Sequence, residues 1–191
     1  MGRRDNPDLE SMAKTLDEII VARINSQERL VLSKPPKFEK NSIVEYDKKL
    51  KLSAMSKFNN PGYTFAVNYH ATNDDIKKFK PLGAVIIYFV EADIPIFLKA
   101  FELRNFDDEN PEEIAAQCLA FSKPLATQFA ENLTSKGYIK LIMGEPVCAR
   151  NDVNGIGFSF DQYDKYEISY FIKDIKIMVA ELTMTIVPKG R

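Results

Sequence analysis

Two long segments of the chain carry apolar residues at helical spacing. The first, at about residues 8–25, places one apolar face on Leu9, Met12, Ala13, Leu16, Ile19 and Ile20. The second, at residues 110–133, places its apolar face on Ile114, Cys118, Phe121, Leu125, Phe129 and Leu133. An apolar stripe of this kind packs against a core, so both segments are predicted to be amphipathic helices.

The second helix has clear start and stop signals. Asn110 is a preferred N-cap residue, Pro111 suits the first helical position, and Glu113 stands at the spacing of a capping box. Gly137 marks the end of the helix. Pro124 lies inside the helix and is predicted to kink or break it near residues 122–123, because proline removes a backbone hydrogen bond.

Strand patterns surround these helices. Residues 63–69 alternate and are rich in aromatic residues, and residues 83–90 form a continuous apolar run, typical of a strand buried on both faces. Later strands are predicted at residues 138–143, 156–160, 166–172 and 175–187, with a turn at 173–174 and a loop at 144–157. The long final run is predicted to be an edge strand that can pair with a second copy of the chain.

The segments between these elements are shorter or more polar. Residues 72–80 are a polar excursion, and a short helix is predicted after Asp93, with Pro95 in its first turn and with Ile96, Phe97, Ala100 and Phe101 buried. Residues 33–60 are rich in lysine and are predicted to be a connector that packs only in places. Its basic run is either a solvated face or a docking surface for an acidic partner.

This order of elements predicts an α+β fold. Strands that cluster around a helical pair favour an antiparallel sheet, here of about five to six strands with two main helices on one face, plus the N-terminal helix. A length of 191 residues fits one domain with an extension. We therefore predict a helix and connector at residues 1–60 and an α+β domain at residues 61–191.

Composition narrows the function classes. A formal net charge of -1 argues against a dedicated nucleic-acid binder, and no apolar run is long enough for a membrane span. With two cysteines, one histidine and no secretory segment, the chain is expected to be cytoplasmic, without a metal or another cofactor. Cys118 falls on the core stripe and is expected to be inert, whereas Cys148 is expected in a loop.

Two small motifs have alternative interpretations. Residues 152–157, DVNGIG, resemble the second motif of the PilZ domains that bind cyclic di-GMP, but the RxxxR stretch of those domains is missing, and a turn explains the Asn-Gly pair. His70 precedes Thr72, Asn73, Asp74 and Asp75, so it is either a base or pH switch or a packing residue at a strand end.

Four stretches together resemble the chemotaxis phosphatase domains of the CheX/CheC type. They are GAVIIYFVEADIPIFLKAF, DENPEEIAAQCLAFSKPLATQFAENL, GYIKLIMGEPVCARND and YEISYFIKDIKIMVAELTM. The likeness lies in their order and spacing, from about residue 63 to residue 187. It implies the CheX-like α+β fold, a signalling partner such as a response regulator, and a possible homodimer formed through the sheet.

The resemblance also implies a site on the long helix. In the family, a Glu-x-x-Asn motif on this helix contacts the response regulator and orients water for attack on a phosphoaspartate. Glu113 stands at the glutamate position and Ala116 at the asparagine position. Alanine offers no side-chain hydrogen bond. Gln117, four residues after Glu113, is the alternative amide, and Glu112 and Lys123 are the expected binding residues beside it.

Three functions stay open at this point. The first is a non-catalytic or weakly active CheX-like module that binds a signalling partner. The second is an aspartyl-phosphate phosphatase that uses Glu113 and Gln117. The third is an interaction protein of the same fold with no role in signalling, since one fold hosts many functions.

Overall fold

The computed structural model describes most of the chain. The described residues are 6–28, 30–43, 45–46, 49–50, 52–101, 107, 109–154, 156–157 and 164–190. Their helices are α1 (Leu9–Asn25), α2 (Ala54–Phe58), α3 (Asn73–Lys77), α4 (Ile94–Ala100) and α5 (Pro111–Ser135). Their strands are β1 (Lys37–Ser42), β2 (Glu45–Tyr46), β3 (Lys49–Leu50), β4 (Gly62–His70), β5 (Gly83–Val90), β6 (Ile142–Met143), β7 (Val147–Arg150), β8 (Asp164–Ile172) and β9 (Ile175–Met184).

Seven of these strands form one antiparallel sheet. Its order is β1-β8-β9-β5-β4-β6, and β7 pairs with β4 on the same side as β6. β2 and β3 form a separate small hairpin. The predicted α+β class, with its antiparallel sheet, main helices and N-terminal helix, is confirmed.

The main core lies between the sheet and the helices α1, α4 and α5. The apolar faces predicted for residues 8–25 and 110–133 are buried there, and a ring cluster of Phe89, Phe97, Phe101 and Phe121 joins β5 to α4 and α5. Helix α1 is fixed by a hydrogen bond from the Tyr170 hydroxyl to Asp17 (3.0 Å) and by another from Lys136 Nζ to the Thr15 hydroxyl (2.6 Å). The N-terminal helix is therefore part of the core.

A second, smaller core covers the opposite face of the sheet at β4 and β5. Leu52, Ala54, Val153 and Ile156 pack there against Ala66, Ala84, Ile86 and Tyr88. The Asn68 amide holds this cover in place, because its nitrogen donates to the Gly157 carbonyl (2.7 Å) and its oxygen accepts from the Gly157 N–H (3.1 Å). Gly155 of the Asn-Gly pair lies outside the described residues, so the turn interpretation of residues 152–157 stays a prediction.

Charged side chains occupy the same face where β8 and β9 meet. Glu181 is 1% exposed and lies directly opposite Glu167. Lys57 forms ion pairs with both carboxylates, and Lys165 pairs with Glu181 at 2.9 Å. The Tyr88 hydroxyl donates to Glu181 at 3.0 Å. Two cations thus offset two anions within a half-buried cluster.

The lysine-rich connector contributes a strand to the main sheet. β1 pairs with β8 along six residues, although its charged sequence, KFEKNS, has no simple alternation of apolar and polar residues. The connector also supplies α2, whose Ala54 is buried in the second core. The polar excursion at residues 72–80 contains the short helix α3, which the Thr72 hydroxyl caps by accepting from the Asp75 N–H at 3.1 Å.

The prediction of an edge strand at residues 175–187 is wrong. β9 lies between β8 and β5 in the middle of the sheet. The two-residue turn Lys173–Asp174, with φ values of 50° and 61°, returns the chain beside β8 and leaves the other side of β9 for β5. The apolar character of the run reflects burial on both faces, so this strand offers no free edge to a second copy.

The region after the long helix also differs from its prediction. Of the predicted strand at residues 138–143, only Ile142–Met143 is a strand, and the predicted loop at 144–157 contains β7. Both short strands line the same edge of β4, β6 at its end and β7 at its start. Most of the predicted strand at residues 156–160 lies outside the described residues.

Helix α5 runs unbroken through Pro124, so the predicted break is wrong, whereas the alternative of a kink stays a prediction. Pro124 and Ala120, whose carbonyl loses its helical partner, are both exposed. Water can therefore satisfy that carbonyl, and the helix continues.

Candidate partner-binding face

A groove of about 440 Å³ runs between the start of α5 and the strand β7. Its walls are mostly small or apolar side chains, with one acidic and one basic residue at the rim; they are Pro111, Glu112, Ala115, Ala116, Leu119, Cys148, Ala149 and Arg150. The helical positions repeat at spacings of three and four, so they form one stripe of α5. We call this the α5–β7 groove.

Local contacts fix the start of α5. The Asn110 side chain accepts a hydrogen bond from the Glu112 N–H at 3.0 Å, as predicted for the N-cap. The Glu113 carboxylate accepts from the Asp107 N–H at 2.6 Å and lies 3.5 Å from the Asn110 amide nitrogen. Glu113 therefore ties the preceding loop to the helix instead of closing the usual capping box on the Asn110 backbone.

The two candidate catalytic residues have different surroundings. Glu113 is exposed, and Gln117, one turn later, is half-buried. Neither residue is part of the lining of the α5–β7 groove. Ala116, which stands where the resemblance implies an asparagine, is exposed and lines the groove. The position implied for the amide is therefore open to a partner, but it carries a methyl group.

The two candidate binding residues lie far apart along α5. Glu112 lines the α5–β7 groove, whereas Lys123 lies in a shallower groove with Ala120, Pro124, Thr127 and Gln128. Eleven residues of α-helix separate them by about 16 Å. A single partner touching both would have to cover three turns of the exposed side of α5.

Sequence reasoning missed the second wall of the groove. Arg150 ends β7, and its guanidinium donates from Nε (3.1 Å) and Nη2 (3.0 Å) to one carboxylate oxygen of Glu91. The hydrogen bonds that Arg150 donates to Glu91, together with the charge of that carboxylate, raise the pKa of Arg150. The short strand at residues 147–150 had no strong pattern of its own, so nothing in the sequence brought Arg150 next to α5.

The remaining candidate residues lie away from the groove. His70 is 3% exposed at the end of β4, where burial lowers its pKa. This burial agrees with the packing interpretation. None of the described helices combines the length and the apolar character that crossing a membrane requires.

Comparison with solved structures supports this architecture, whereas comparison of the sequence found no match. No protein-family model matches the chain, and no curated protein matches its sequence. A CheC-like superfamily protein from Shewanella sp. PV-4 is similar in structure with a TM-score of 0.52 at 14% identity, covering 94% of this chain and 98% of that one. The chemotaxis protein CheX from Desulfovibrio desulfuricans has a TM-score of 0.55 at 9% identity, covering 92% and 97%.

A third similar structure contains a partner. It is the complex of CheX with CheY, BeF3 and Mg²⁺ from Borrelia burgdorferi, with a TM-score of 0.52 at 13% identity, covering 95% of this chain and 99% of that one. At such identities the likeness concerns the fold, which extends over almost the whole of each chain. The predicted CheC/CheX-like fold is thus confirmed, and this chain has the fold of the chemotaxis proteins CheC and CheX.

Proposed function

We propose that this protein is a non-catalytic or weakly active CheX-like module that binds a signalling protein, such as a response regulator, in the cytoplasm. The proposed contact surface is the exposed side of α5 with the α5–β7 groove. The observation that carries the proposal is Ala116, an exposed residue in the groove wall at the position where the resemblance places the catalytic amide.

The chemistry of phosphoaspartate hydrolysis explains why this position matters. The protein's part in such a reaction is to position water and to stabilise charge. An alanine methyl can do neither. A partner can still bind, because the groove offers apolar surface between Glu112 and Arg150, and because the CheX of Borrelia burgdorferi was crystallised with CheY.

The substitution Ala116→Asn tests the alignment and the proposal together. We expect the wild-type protein to bind a CheY-type response regulator activated with BeF3 and to accelerate loss of phosphate from the phosphorylated regulator little or not at all. Ala116→Asn should increase that acceleration at least about tenfold, since one positioned amide is worth a few kcal/mol in comparable sites. Release of phosphate is measured under single-turnover conditions.

The matched control is Ala120→Asn, which adds the same amide to α5 one turn further on, at another exposed position. It should leave the rate unchanged. Failure of the wild-type protein to bind any of a panel of response regulators would contradict the proposed partner. Binding without any gain in Ala116→Asn would contradict the alignment.

An active phosphatase is the second candidate. It is favoured by Gln117, whose half-buried amide has no hydrogen-bond partner among the described residues. If the wild-type protein accelerates phosphate loss, Gln117→Ala should abolish the effect, and Gln128→Ala, on the exposed side of the same helix, should not. Activity that survives Gln117→Ala would place the chemistry elsewhere.

A further inference from the structure

The only two cysteines of the chain meet beneath the α5–β7 groove. Cys118 is fully buried on the core side of α5, and Cys148 lies in β7 opposite Phe65 of β4. Residues alternate between the two faces of a strand. Val147 and Ala149 pack against the second core, whereas Cys148 packs against the main core that contains Cys118. The two side chains therefore point into the same layer.

The two thiols are neighbours in this layer. Burial first, and then the nearby Cys148 thiol, raise the pKa of Cys118 well above its usual value. Small residues, Ala115 and Ala149, stand beside the pair and bring the backbones of α5 and β7 within 8 Å of each other. A disulfide needs a Cα approach of about 4.4–6.8 Å, and small side chains between the two elements favour such an approach.

The environments of the two thiols differ in accessibility. Cys148 is half-buried and lines the groove, so a small oxidant can reach it from solvent. Cys118 is buried in the core.

A third polar group in this part of the core is the Tyr63 hydroxyl. It is fully buried and has no hydrogen-bond partner among the described residues. Burial first, and then the charge of Glu91, raise the pKa of Tyr63 to about 12, and both thiols add to this rise. This part of the core thus holds a buried O–H group near the two thiols.

We propose that Cys148 and Cys118 form a modification site for hydroperoxides, in which Cys148 is oxidised first and Cys118 then closes a reversible disulfide. In the first step the Cys148 thiolate attacks one peroxide oxygen. The O–O bond breaks, an alcohol or water leaves, and Cys148 becomes a sulfenic acid, oxidised by two electrons. In the second step the Cys118 sulfur loses its proton and attacks the Cys148 sulfur. The S–S bond forms, the S–O bond breaks, and the departing hydroxide takes the proton as water.

Proximity explains why the buried thiol can take part. Cys118 is mostly protonated and therefore a poor target for peroxide in solution. Once Cys148 is a sulfenic acid, the neighbouring thiol reacts within one molecule, at an effective concentration that no free thiol matches. The bond would tie α5 to β7 and fix the width of the groove until a thiol reductant reopens it.

The test uses the full chain, treated with hydrogen peroxide and then with catalase. In the wild-type protein both thiols should disappear at a rate that does not depend on protein concentration, and the intact mass should fall by two hydrogen atoms. A non-reducing peptide map should show the peptides of Cys118 and Cys148 joined, and dithiothreitol should restore both thiols. Oxygen addition without this crosslink, or disulfides formed only between chains, would overturn the proposal.

Two matched variants assign the roles. In Cys118→Ala, Cys148 should still be oxidised and should be trapped as a sulfenic acid by dimedone. In Cys148→Ala, the buried Cys118 should stay reduced at the same peroxide concentration. Equal oxidation of Cys118 in that variant would overturn the order of the two steps. The peptide map of the wild-type protein decides the crosslink even if a variant fails to fold, which circular dichroism reports.

Discussion

At the scale of single residues, the charged cluster on the sheet is where burial and charge oppose each other most strongly. Burial alone would raise the pKa of Glu167, but its interaction with the Glu181 carboxyl, the hydrogen bond from Lys57 and the charges of Lys57 and Lys165 lower it to about 2. Glu181 behaves in the opposite way, since burial raises its pKa. The two carboxyl groups titrate as a coupled pair, in which Glu167 carries the more stable negative charge.

This difference predicts a pH dependence of stability. The pKa of Glu167 is depressed in the folded protein, so its contribution is fully present above the ordinary value of 4.5 and is lost as the pH falls toward 2. The pKa of Glu181 is raised in the folded protein, so its ionisation lowers stability as the pH rises above 4.5. The pH range over which Glu181 changes stability is therefore separate from that of Glu167. Between pH 5 and pH 2.5 the wild-type protein should lose about 2 kcal/mol more than Glu167→Gln, measured by urea unfolding.

Glu39→Gln is the matched control for that measurement. Glu39 lies directly opposite Glu167 in β1 and pairs with Lys37 in solvent. Exposed ion pairs contribute little to the free energy of unfolding. The stability of this variant should therefore change with pH as that of the wild-type protein does. If Glu167→Gln loses stability as steeply as the wild-type protein, the acid sensitivity does not arise from the cluster.

At the scale of elements, helix α5 tolerates a proline because of where it lies. Pro124 is on the exposed side of the helix, opposite the buried stripe that includes Phe121, Leu125 and Phe129. The apolar stripe predicted one helix over residues 110–133, while the proline by itself predicted a kink or a break within it. Tertiary packing along the buried side holds the helix together across the missing hydrogen bond.

Replacing this proline should stabilise the protein. In a helix interior alanine is favoured over proline by about 3 kcal/mol, and the greater freedom of the unfolded chain returns up to about 1 kcal/mol of this. We expect Pro124→Ala to raise the free energy of unfolding by about 1–2 kcal/mol, measured by urea titration at neutral pH. Gln128→Ala, one turn later on the same exposed side, should change it by less than about 0.5 kcal/mol. A destabilised Pro124→Ala variant would show that the proline ring makes contacts the helix needs.

At the scale of the whole molecule, two elements from the N-terminal part of the chain, α1 and β1, pack with the remainder. α1 buries its apolar side in the main core beside α5, β8 and β9, and β1 extends the sheet beyond β8. The predicted division at residue 60 stays a prediction. These contacts are the reason to test it.

A truncated chain of residues 61–191 provides that test. Each core side chain removed with α1 takes away about 1.5–3 kcal/mol of hydrophobic stabilisation. The total loss exceeds the usual free energy of unfolding of a domain. We therefore expect the truncated chain to lose cooperative thermal unfolding by circular dichroism, and a separately made fragment of residues 1–60 to restore it. Cooperative unfolding of residues 61–191 alone, at the midpoint of the full chain, would establish an independent domain.

Assembly with a second copy also belongs to this scale. The predicted homodimer can no longer rest on β9, which is an inner strand. Among the sheet strands described, β1 is the outer strand on one side, and its lysines at positions 37 and 40 discourage edge-to-edge pairing. Light scattering at micromolar concentration decides whether the chain is a monomer or a dimer.

Local patterns in the sequence were enough for the fold class and most of its parts. The apolar spacing of residues 8–25 and 110–133, the buried run at 83–90 and the cap at Asn110 depend on neighbours a few residues away, and all four are present in the structure. The order of these elements was also sufficient to indicate the CheC/CheX-like fold. The assignment of Ala116 to the asparagine position came from the alignment of one helix and stays a prediction.

Tertiary structure alone decided which distant segments meet. The inner position of β9, the pairing of β1 with β8 and the placement of β7 beside β4 depend on contacts between residues far apart in the chain, for which no local pattern exists. The α5–β7 groove, the closeness of Cys118 and Cys148, and the charged cluster around Glu181 follow from those pairings. Their side chains acquire chemistry only when the sheet brings them together and burial removes the water that would otherwise separate them.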